Sequence, residues 1–165
     1  MTDKFYMDFI EIARKEEART GIHRIAIIAQ AALESGYGQH APGNNFFGIK
    51  AGKNWKGDKQ LLRTTEYHST PNKEYPVILS VKKVTINGID KFEYKIKDWF
   101  RKYDSVEEGW ADHSDFFFQN KRYAEALKYK SDPLKFIQEI IKAGYATDGK
   151  YLSSITGIID YYNHL

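Results

Sequence analysis

The sequence predicts an α+β fold in which a mainly helical lobe is combined with a small antiparallel β lobe at about residues 60–103. Apolar residues recur with helical spacing near both ends of the chain, whereas the spacing changes to period two in the middle. An Asn-Gly pair, the strongest short hairpin signal, interrupts that middle segment. No repeat or linker separates the parts, so residues 1–165 are assigned to a single domain.

Two helices are predicted before the β lobe. Residues 3–18 carry apolar side chains at helical spacing with Lys and Glu on the opposite face, which is typical of an amphipathic helix. A second helix, predicted over 22–34, is apolar from residue 25 onward except at Gln30 and Glu34, which share one face. Gly36 is expected to end it, because glycine readily adopts the left-handed conformation.

The middle of the chain is predicted to contain a long loop and three strands. Residues 36–59 hold six of the 12 glycines, which indicates an irregular, ordered loop region of the kind that serves a site. The turn Asn87-Gly88 joins strands expected over 77–86 and 89–99, and a strand near 60–67 is expected to pair with this hairpin. We interpret the lysine-rich stretch 95–102 as a solvated face of the hairpin.

Helices return in the last third of the chain. Ser105 and Glu108 form a capping box that opens one helix, and Asp132-Pro133 opens another. The predicted helices are 106–119, 123–129, 133–144 and 150–162.

Glu34 is the clearest candidate for chemistry. It ends an apolar helix, where burial disfavours its anion and the negative end of the helix dipole repels it. Both effects raise a pKa. A carboxylic acid still protonated near neutral pH is what a general acid needs, and glycoside hydrolysis is the chemistry that most often uses one. A glutamate simply exposed to solvent at the helix end is equally compatible with the pattern.

Composition limits the class of function. Without cysteine the chain has no disulfide framework and no thiolate nucleophile, and the five histidines show no metal-ligand spacing, so neither metal nor cofactor is expected. His113 is expected to be a buried, hydrogen-bonded structural residue. The net charge of +3 is too weak to imply nucleic acid, and no apolar stretch reaches the ~18 residues of a membrane span. The N-terminal segment lacks the pattern of a signal peptide.

Five motifs occur in order along the chain. They are AQAALESGYG at 29–38, NNFFGIK at 44–50, TTEY at 64–67, FRKYDS at 100–105 with Asp112-His113, and AGYATD at 143–148 with Tyr151. Together they resemble the peptidoglycan N-acetylglucosaminidases of glycoside hydrolase family 73, which include bacterial autolysins, flagellar wall-piercing enzymes and phage lysins. The resemblance runs from about residue 20 to the C-terminus, and it departs from the family mainly over 70–84, where this chain is longer.

The resemblance implies a lysozyme-like fold and an endo-β-N-acetylglucosaminidase that cleaves the bond after N-acetylglucosamine in the glycan strand of peptidoglycan. It further implies a monomer working outside the cytoplasm, in the cell wall, the periplasm or a phage particle, with no nucleic acid or membrane as partner.

The resemblance also implies roles for single residues. Glu34 matches the general acid, and Glu66 matches a second acidic residue proposed to activate water. Tyr145 and Tyr151 match tyrosines that line the cleft, and Tyr145 is expected to take part in catalysis. One of the two phenylalanine rings in the loop is expected to be core. The residues expected to bind substrate are Gln30, Asn45, Phe46, Phe47 and Tyr151.

Two questions stay open from the sequence. Either Glu66 activates water, or the 2-acetamido group of the substrate is the nucleophile and Tyr145 matters more. The chain could also be a lytic transglycosylase that uses one glutamate, or a non-catalytic wall-binding or assembly module.

Overall fold

The computed structural model describes residues 2–165, which fall into two units, one helical and one built on a β-sheet. The helical unit extends up to Gly48 and resumes at Tyr103–Leu165, and the sheet unit is Ile49–Lys102. The predicted α+β class is confirmed, although the sheet unit begins earlier than residue 60. The reason is that the Ala51 N–H donates to the Trp99 carbonyl at 2.9 Å, which ties the end of the loop to the sheet. That the two units form a single domain stays a prediction.

The helices lie close to their predicted bounds. Within residues 2–165 they are α1 (Thr2–Thr20), α2 (Arg24–Glu34), α3 (Val106–Gln119), α4 (Ala124–Leu127), α5 (Pro133–Lys142) and α6 (Lys150–Tyr162), with short 3₁₀ helices at Pro42–Asn44 and Lys121–Tyr123. None of the helices in this described part of the chain is long and apolar enough to cross a membrane.

Helix α2 is the centre of the helical unit. Every residue from Ile25 to Ala32 is buried, and the helix packs against α1, α5 and α6. At its C-terminal end Gly36 has the expected left-handed backbone, with φ at +57°. Ser35, which is fully buried, accepts a hydrogen bond from the Gly38 N–H at 2.8 Å and so fixes the turn. The last residue of α2, Glu34, is therefore held in a rigid setting.

The sheet unit has three antiparallel strands in the order β1-β3-β2. They are β1 (Lys59–His68), β2 (Val77–Ile86) and β3 (Ile89–Arg101). Asn87 and Gly88 both have positive φ, at +50° and +77°, which is the geometry that a two-residue hairpin turn requires. Tyr94 and Ile96 of β3 are fully buried on one face, in agreement with the predicted alternation. The sheet differs from a simple hairpin by an irregularity in β2 between Ile78 and Ser80.

Two helical glycines differ in the space around them, and this predicts opposite effects on stability. A Cβ at Gly109 of α3 would lie 2.4 Å from the Asn44 carbonyl oxygen, whereas a Cβ at Gly157 of α6 would meet nothing within 4 Å. We expect Gly157→Ala to raise the free energy of unfolding by about 0.5–1 kcal/mol, because alanine restricts the unfolded chain. Gly109→Ala should lower it by about 1–3 kcal/mol through overpacking. Urea unfolding measures both, and a stabilised Gly109→Ala variant would contradict the packing described here.

Candidate active site

The carboxyl group of Glu34 is the point where three segments of the helical unit meet. Its Oε1 accepts hydrogen bonds from the Tyr145 hydroxyl at 2.7 Å and from the Tyr151 hydroxyl at 3.0 Å. Tyr145 directly follows the turn at Gly144, whose φ is +95°, and Tyr151 lies in the first turn of α6. The structure thus brings together three of the predicted site residues.

Burial controls the protonation of Glu34. The residue keeps intermediate exposure, but desolvation of its carboxyl group raises the pKa from the ordinary 4.5 to about 7, while the two tyrosine hydrogen bonds lower it by less. The raised pKa predicted from the apolar helix is confirmed. Since both hydroxyls donate to Oε1, the proton of the neutral acid belongs on the other oxygen, Oε2.

The two tyrosines remain hydrogen-bond donors at any relevant pH. Burial raises the pKa of Tyr145 well above its ordinary value, and the charge of Glu34 raises it further. The pKa of Tyr151 is raised by the same two causes in the same order. Both hydroxyls therefore keep their protons and can hold one carboxyl oxygen in place while the other oxygen reacts.

His113 lies behind Tyr145 and fixes the direction of its hydrogen bond. Its Nε2 is 2.9 Å from the Tyr145 hydroxyl oxygen, and burial lowers the pKa of the imidazole to about 3, so the ring is neutral. We assign the ring proton to Nε2, because only then can Tyr145 accept from His113 and still donate to Glu34. Within residues 2–165 the other ring nitrogen, Nδ1, has no hydrogen-bond partner, which fits an unprotonated nitrogen in an apolar setting.

His113 was predicted to be a buried, hydrogen-bonded residue, which is confirmed, whereas its link to Tyr145 was not predicted. The burial signal was present in the sequence, because His113 follows Trp110 by three residues and precedes Phe117 by four on one face of α3. Its partner lies 32 residues away along the chain, and no local pattern identifies such a partner.

Gln30 is buried one helical turn before Glu34. It is 1% exposed, and its Nε2 donates to the Tyr151 hydroxyl at 3.4 Å. The contact shows that Gln30 helps to position Tyr151. A direct contact with substrate stays a prediction.

The loop residues Asn45, Phe46 and Phe47 are all buried, at 4%, 5% and 7% exposure. We expected one phenylalanine ring in the core, yet both rings are there because Trp110 contacts each of them, with ring centroids 5.7 and 5.9 Å apart. Phe47 also stacks on His113 at 3.6 Å with nearly parallel planes. Phe47 thus supports His113 behind Tyr145, whereas Phe46 packs in the core around Trp110. Substrate contact by the three loop residues stays a prediction.

Glu66 belongs to the sheet unit, where a lysine holds it. On β1, the Glu66 Oε1 lies 2.5 Å from the Nζ of Lys50, which also lies 3.2 Å from a carboxylate oxygen of Asp98. Burial lowers the pKa of Lys50, but its hydrogen bonds and charge interactions with Glu66 and Asp98 together raise that pKa above the ordinary value. Lys50 is therefore a permanent cation beside Glu66, and this partner was not predicted from the sequence.

Metal ligation has no support in the part of the chain that the structure describes. Among residues 2–165 no group of three or more His, Asp or Glu is arranged to hold a metal ion. The groups around Glu34 can instead donate, accept and position protons.

Comparison with known proteins gives a consistent set of relatives. A family model named Glucosaminidase, described as mannosyl-glycoprotein endo-beta-N-acetylglucosaminidase, matches residues 10–164. The peptidoglycan hydrolase FlgJ of Pseudomonas aeruginosa is 32% identical over 163 residues, which is 94% of this chain, and the exo-glucosaminidase LytG of Bacillus subtilis is 30% identical over 147 residues, or 82% of this chain. This chain spans 36% of the length of the first relative and 43% of the second.

Solved structures agree with this result. The glycoside hydrolase domain of Salmonella typhimurium FlgJ, in a C-terminally truncated form, has a TM-score of 0.69 at 29% identity and covers 100% of this chain and 99% of its own. A mutant peptidoglycan hydrolase from Sphingomonas sp. A1 has a TM-score of 0.71 at 30% identity, covering 95% of this chain and 92% of its own. The predicted lysozyme-like fold is confirmed by these neighbours.

Removal of either tyrosine hydroxyl should move the titration of Glu34. We expect Tyr145→Phe and Tyr151→Phe each to raise the pKa of Glu34 further above about 7, because each hydroxyl stabilises the anion. Tyr161→Phe, on the same helix as Tyr151 but bonded to Asp3, is the matched control and should leave the pKa of Glu34 unchanged. Carbon-13 NMR of the labelled carboxyl group measures these values. A lowered pKa in either site variant would contradict the assigned direction of the hydrogen bonds.

Proposed function

Because this chain belongs to the glucosaminidase family, we propose that it hydrolyses the β-1,4 bond after N-acetylglucosamine in the glycan strands of bacterial peptidoglycan, with Glu34 as the general acid. One observation carries the proposal. The Glu34 carboxyl group is buried with a pKa of about 7, and two tyrosine hydroxyls hold a single one of its oxygens. A carboxylic acid with this pKa and one free oxygen is suited to protonating a leaving group.

The acid step follows from this geometry. The Oε2 proton of Glu34 passes to the glycosidic oxygen as the bond from that oxygen to C1 breaks, and the Glu34 carboxylate remains. Tyr145 and Tyr151 stabilise the developing negative charge through their bonds to Oε1. Water then adds at C1, so that N-acetylglucosamine becomes the new reducing end.

The second half of the reaction concerns how water is activated. We propose that Glu66 acts as the base that accepts a proton from water, and its ion pair with Lys50, which fixes the position of the carboxylate, supports this role. Direct attack by water in this way inverts the anomeric configuration. The alternative is attack by the 2-acetamido group of the substrate, which retains the configuration and would give Tyr145 the task of orienting that group.

The relatives support the substrate class and the place of action. The FlgJ proteins are named as peptidoglycan hydrolases, and peptidoglycan lies outside the cytoplasm. We therefore propose that this chain acts outside the cytoplasm, in the cell wall, the periplasm or a phage particle, as a monomer.

The first test of this function is Glu34→Gln. The amide keeps the size of the side chain but cannot donate the proton, so we expect wall-lytic activity to fall by about 10²–10⁴-fold. In the parent enzyme, activity should fall as the pH rises through about 7, because Glu34 loses its proton there. Turbidity loss of purified cell walls, measured across pH, gives both results. Glu107→Gln, an exposed change in the first turn of α3, is the control.

Several results would overturn this proposal. Glu34→Gln with more than about a tenth of the parental activity would remove the residue from the acid role, since general acids contribute ~10²–10⁴-fold. A parental rate that rises steadily to alkaline pH would do the same. Mass spectrometry of the digest should find N-acetylglucosamine at the reducing end; anhydro-muramyl ends would identify a transglycosylase, and an absence of soluble sugar would identify a binding module.

The second test separates the two roles open to Glu66. If Glu66 is the base, Glu66→Gln should abolish hydrolysis, and azide should partly restore turnover in Glu66→Ala by forming the inverted glycosyl azide in the vacated space. If the acetamido group attacks, Glu66→Gln should lose only about 10- to 100-fold, and Tyr145→Phe should lose at least as much. Glu74→Gln, an exposed change in the same unit, is the control. Retained anomeric configuration together with near-parental activity of Glu66→Gln would exclude Glu66 as the base.

A further inference from the structure

Charge is divided unevenly between the two units. Residues 49–102 carry 13 Lys and Arg against six Asp and Glu, a net charge of +7, whereas the remaining residues carry 12 against 16, a net charge of −4. The mild total of +3 conceals this division. A third of the chain is therefore strongly basic, and apart from Lys50, which pairs with Glu66, this charge has no part in the proposed acid and water-activating steps.

Much of the positive charge lies on one face of the sheet. In the strand register Arg63 of β1 is directly opposite Lys97 of β3, and Lys82 of β2 is opposite Glu93 of β3. Residues two apart on a strand share a face, so these positions and Lys59, Lys91 and Lys95 form one surface. We call it the basic face; its members are Lys59, Arg63, Lys82, Lys91, Lys95 and Lys97. Glu66 has the opposite parity on β1, opposite Tyr94, and so belongs to the other face.

Most of these cations lack an acidic partner within residues 2–165. Lys82 lies 3.6 Å from Glu93, and Lys59 lies 4.4 Å above the ring of Trp99. No ion pair is formed by Arg63, Lys91, Lys95 or Lys97 among the described residues. Like charges directly opposite each other in a sheet destabilise it, so the arrangement of Arg63 and Lys97 has a cost that an anionic partner would offset.

The shape of the basic face suits a polymer. Lys91, Lys95 and Lys97 lie along one strand, with Glu93 between the first two and near Lys82, and the six residue steps from Lys91 to Lys97 extend over about 20 Å. A row of this length with a net positive charge matches a repeating anion better than a single small ion. The neighbouring aromatic side chains, Trp99 and Tyr67, add flat apolar surface to the same face.

We propose that the basic face binds the repeated carboxylates of the peptide stems of peptidoglycan, as an attachment surface separate from the Glu34 site. This inference rests on the proposed function, because peptide-bearing glycan is the polyanion that the enzyme would meet. Attachment through the basic face keeps the enzyme on the wall between cleavage events and raises the local concentration of its substrate.

The test measures binding without digestion. In a Glu34→Gln background, co-sedimentation with purified sacculi that have been stripped of phosphate polymers reports the affinity at low and at physiological ionic strength. Changing Arg63, Lys95 and Lys97 together to Gln should weaken binding to sacculi by about tenfold or more at low salt. Added salt should also weaken the binding of the protein that keeps these three residues. The control neutralises Lys15, Lys121 and Lys128, which are exposed on the helical unit, and should not change the affinity.

Chemical blocking of the ligand completes the test. Amidation of the sacculus carboxylates should abolish binding to the basic face. Equal binding to amidated and native sacculi would overturn the proposal, as would binding that requires the phosphate polymers, or binding of duplex DNA but not of stripped sacculi. An equal loss for the control substitutions would show a general charge effect and would also overturn it.

Hydrolysis separates this proposal from the proposed function. With Glu34 restored, the Arg63, Lys95 and Lys97 variant should cleave short, peptide-free glycan fragments at the parental rate. If the variant cleaved these fragments more slowly than the parent, the basic face would take part in hydrolysis. The proposal that it is a separate attachment surface would then be wrong. A parent enzyme that cleaves no fragment would instead refute the proposed hydrolysis, while the sedimentation result would still stand as a measurement of the basic face.

Discussion

The burial of one carboxyl group at the end of α2 is the constraint on which the helical unit depends. Burial raises the pKa of Glu34 from 4.5 to about 7, so the folded protein binds this proton more tightly than the unfolded chain does. The resulting stability is fully present below about pH 4.5 and is lost as the pH rises through about 7. The buried core of α2 has to offset this loss at neutral pH, as is common for sites in which function opposes stability.

The hydrogen bonds around Glu34 form a directed chain rather than a simple cluster. Neutral His113 donates to Tyr145, and Tyr145 donates to Glu34, as does Tyr151. The direction depends on burial at every step, because burial keeps the imidazole neutral and both phenols protonated. The aromatic core around Trp110 positions these groups although it touches no reacting atom. Trp110 packs against Phe47, Phe47 stacks on His113, and His113 hydrogen-bonds to Tyr145.

Local features of this fold could be predicted from sequence, and features that depend on distant partners could not. The apolar run of α2, the left-handed Gly36 and the Asn87-Gly88 turn involve neighbouring residues, and each lies where expected. The contact of Tyr145 with Glu34 spans 111 residues; resemblance to a family indicated its importance, but no spacing showed that its hydroxyl shares Oε1 with Tyr151. The prediction that one of Phe46 and Phe47 is core was wrong, since both are buried, because the number of rings that Trp110 contacts is a property of the packed core.

The uneven distribution of charge between the two units is consistent with the need to keep Glu34 protonated near neutral pH. A cation beside Glu34 would lower its pKa and deprive it of its proton at neutral pH. Within residues 2–165 the groups that hydrogen-bond to Glu34 are the hydroxyls of two tyrosines, and the groups behind them are a neutral imidazole and an amide. The lysine that does pair with a candidate catalytic carboxylate, Lys50, belongs to the sheet unit and faces Glu66. The acid must be neutral at the start of the reaction, so uncharged partners are the ones compatible with Glu34. The excess of cations thus belongs to the unit that does not contain Glu34, and the basic face lies on the opposite side of the sheet from Glu66.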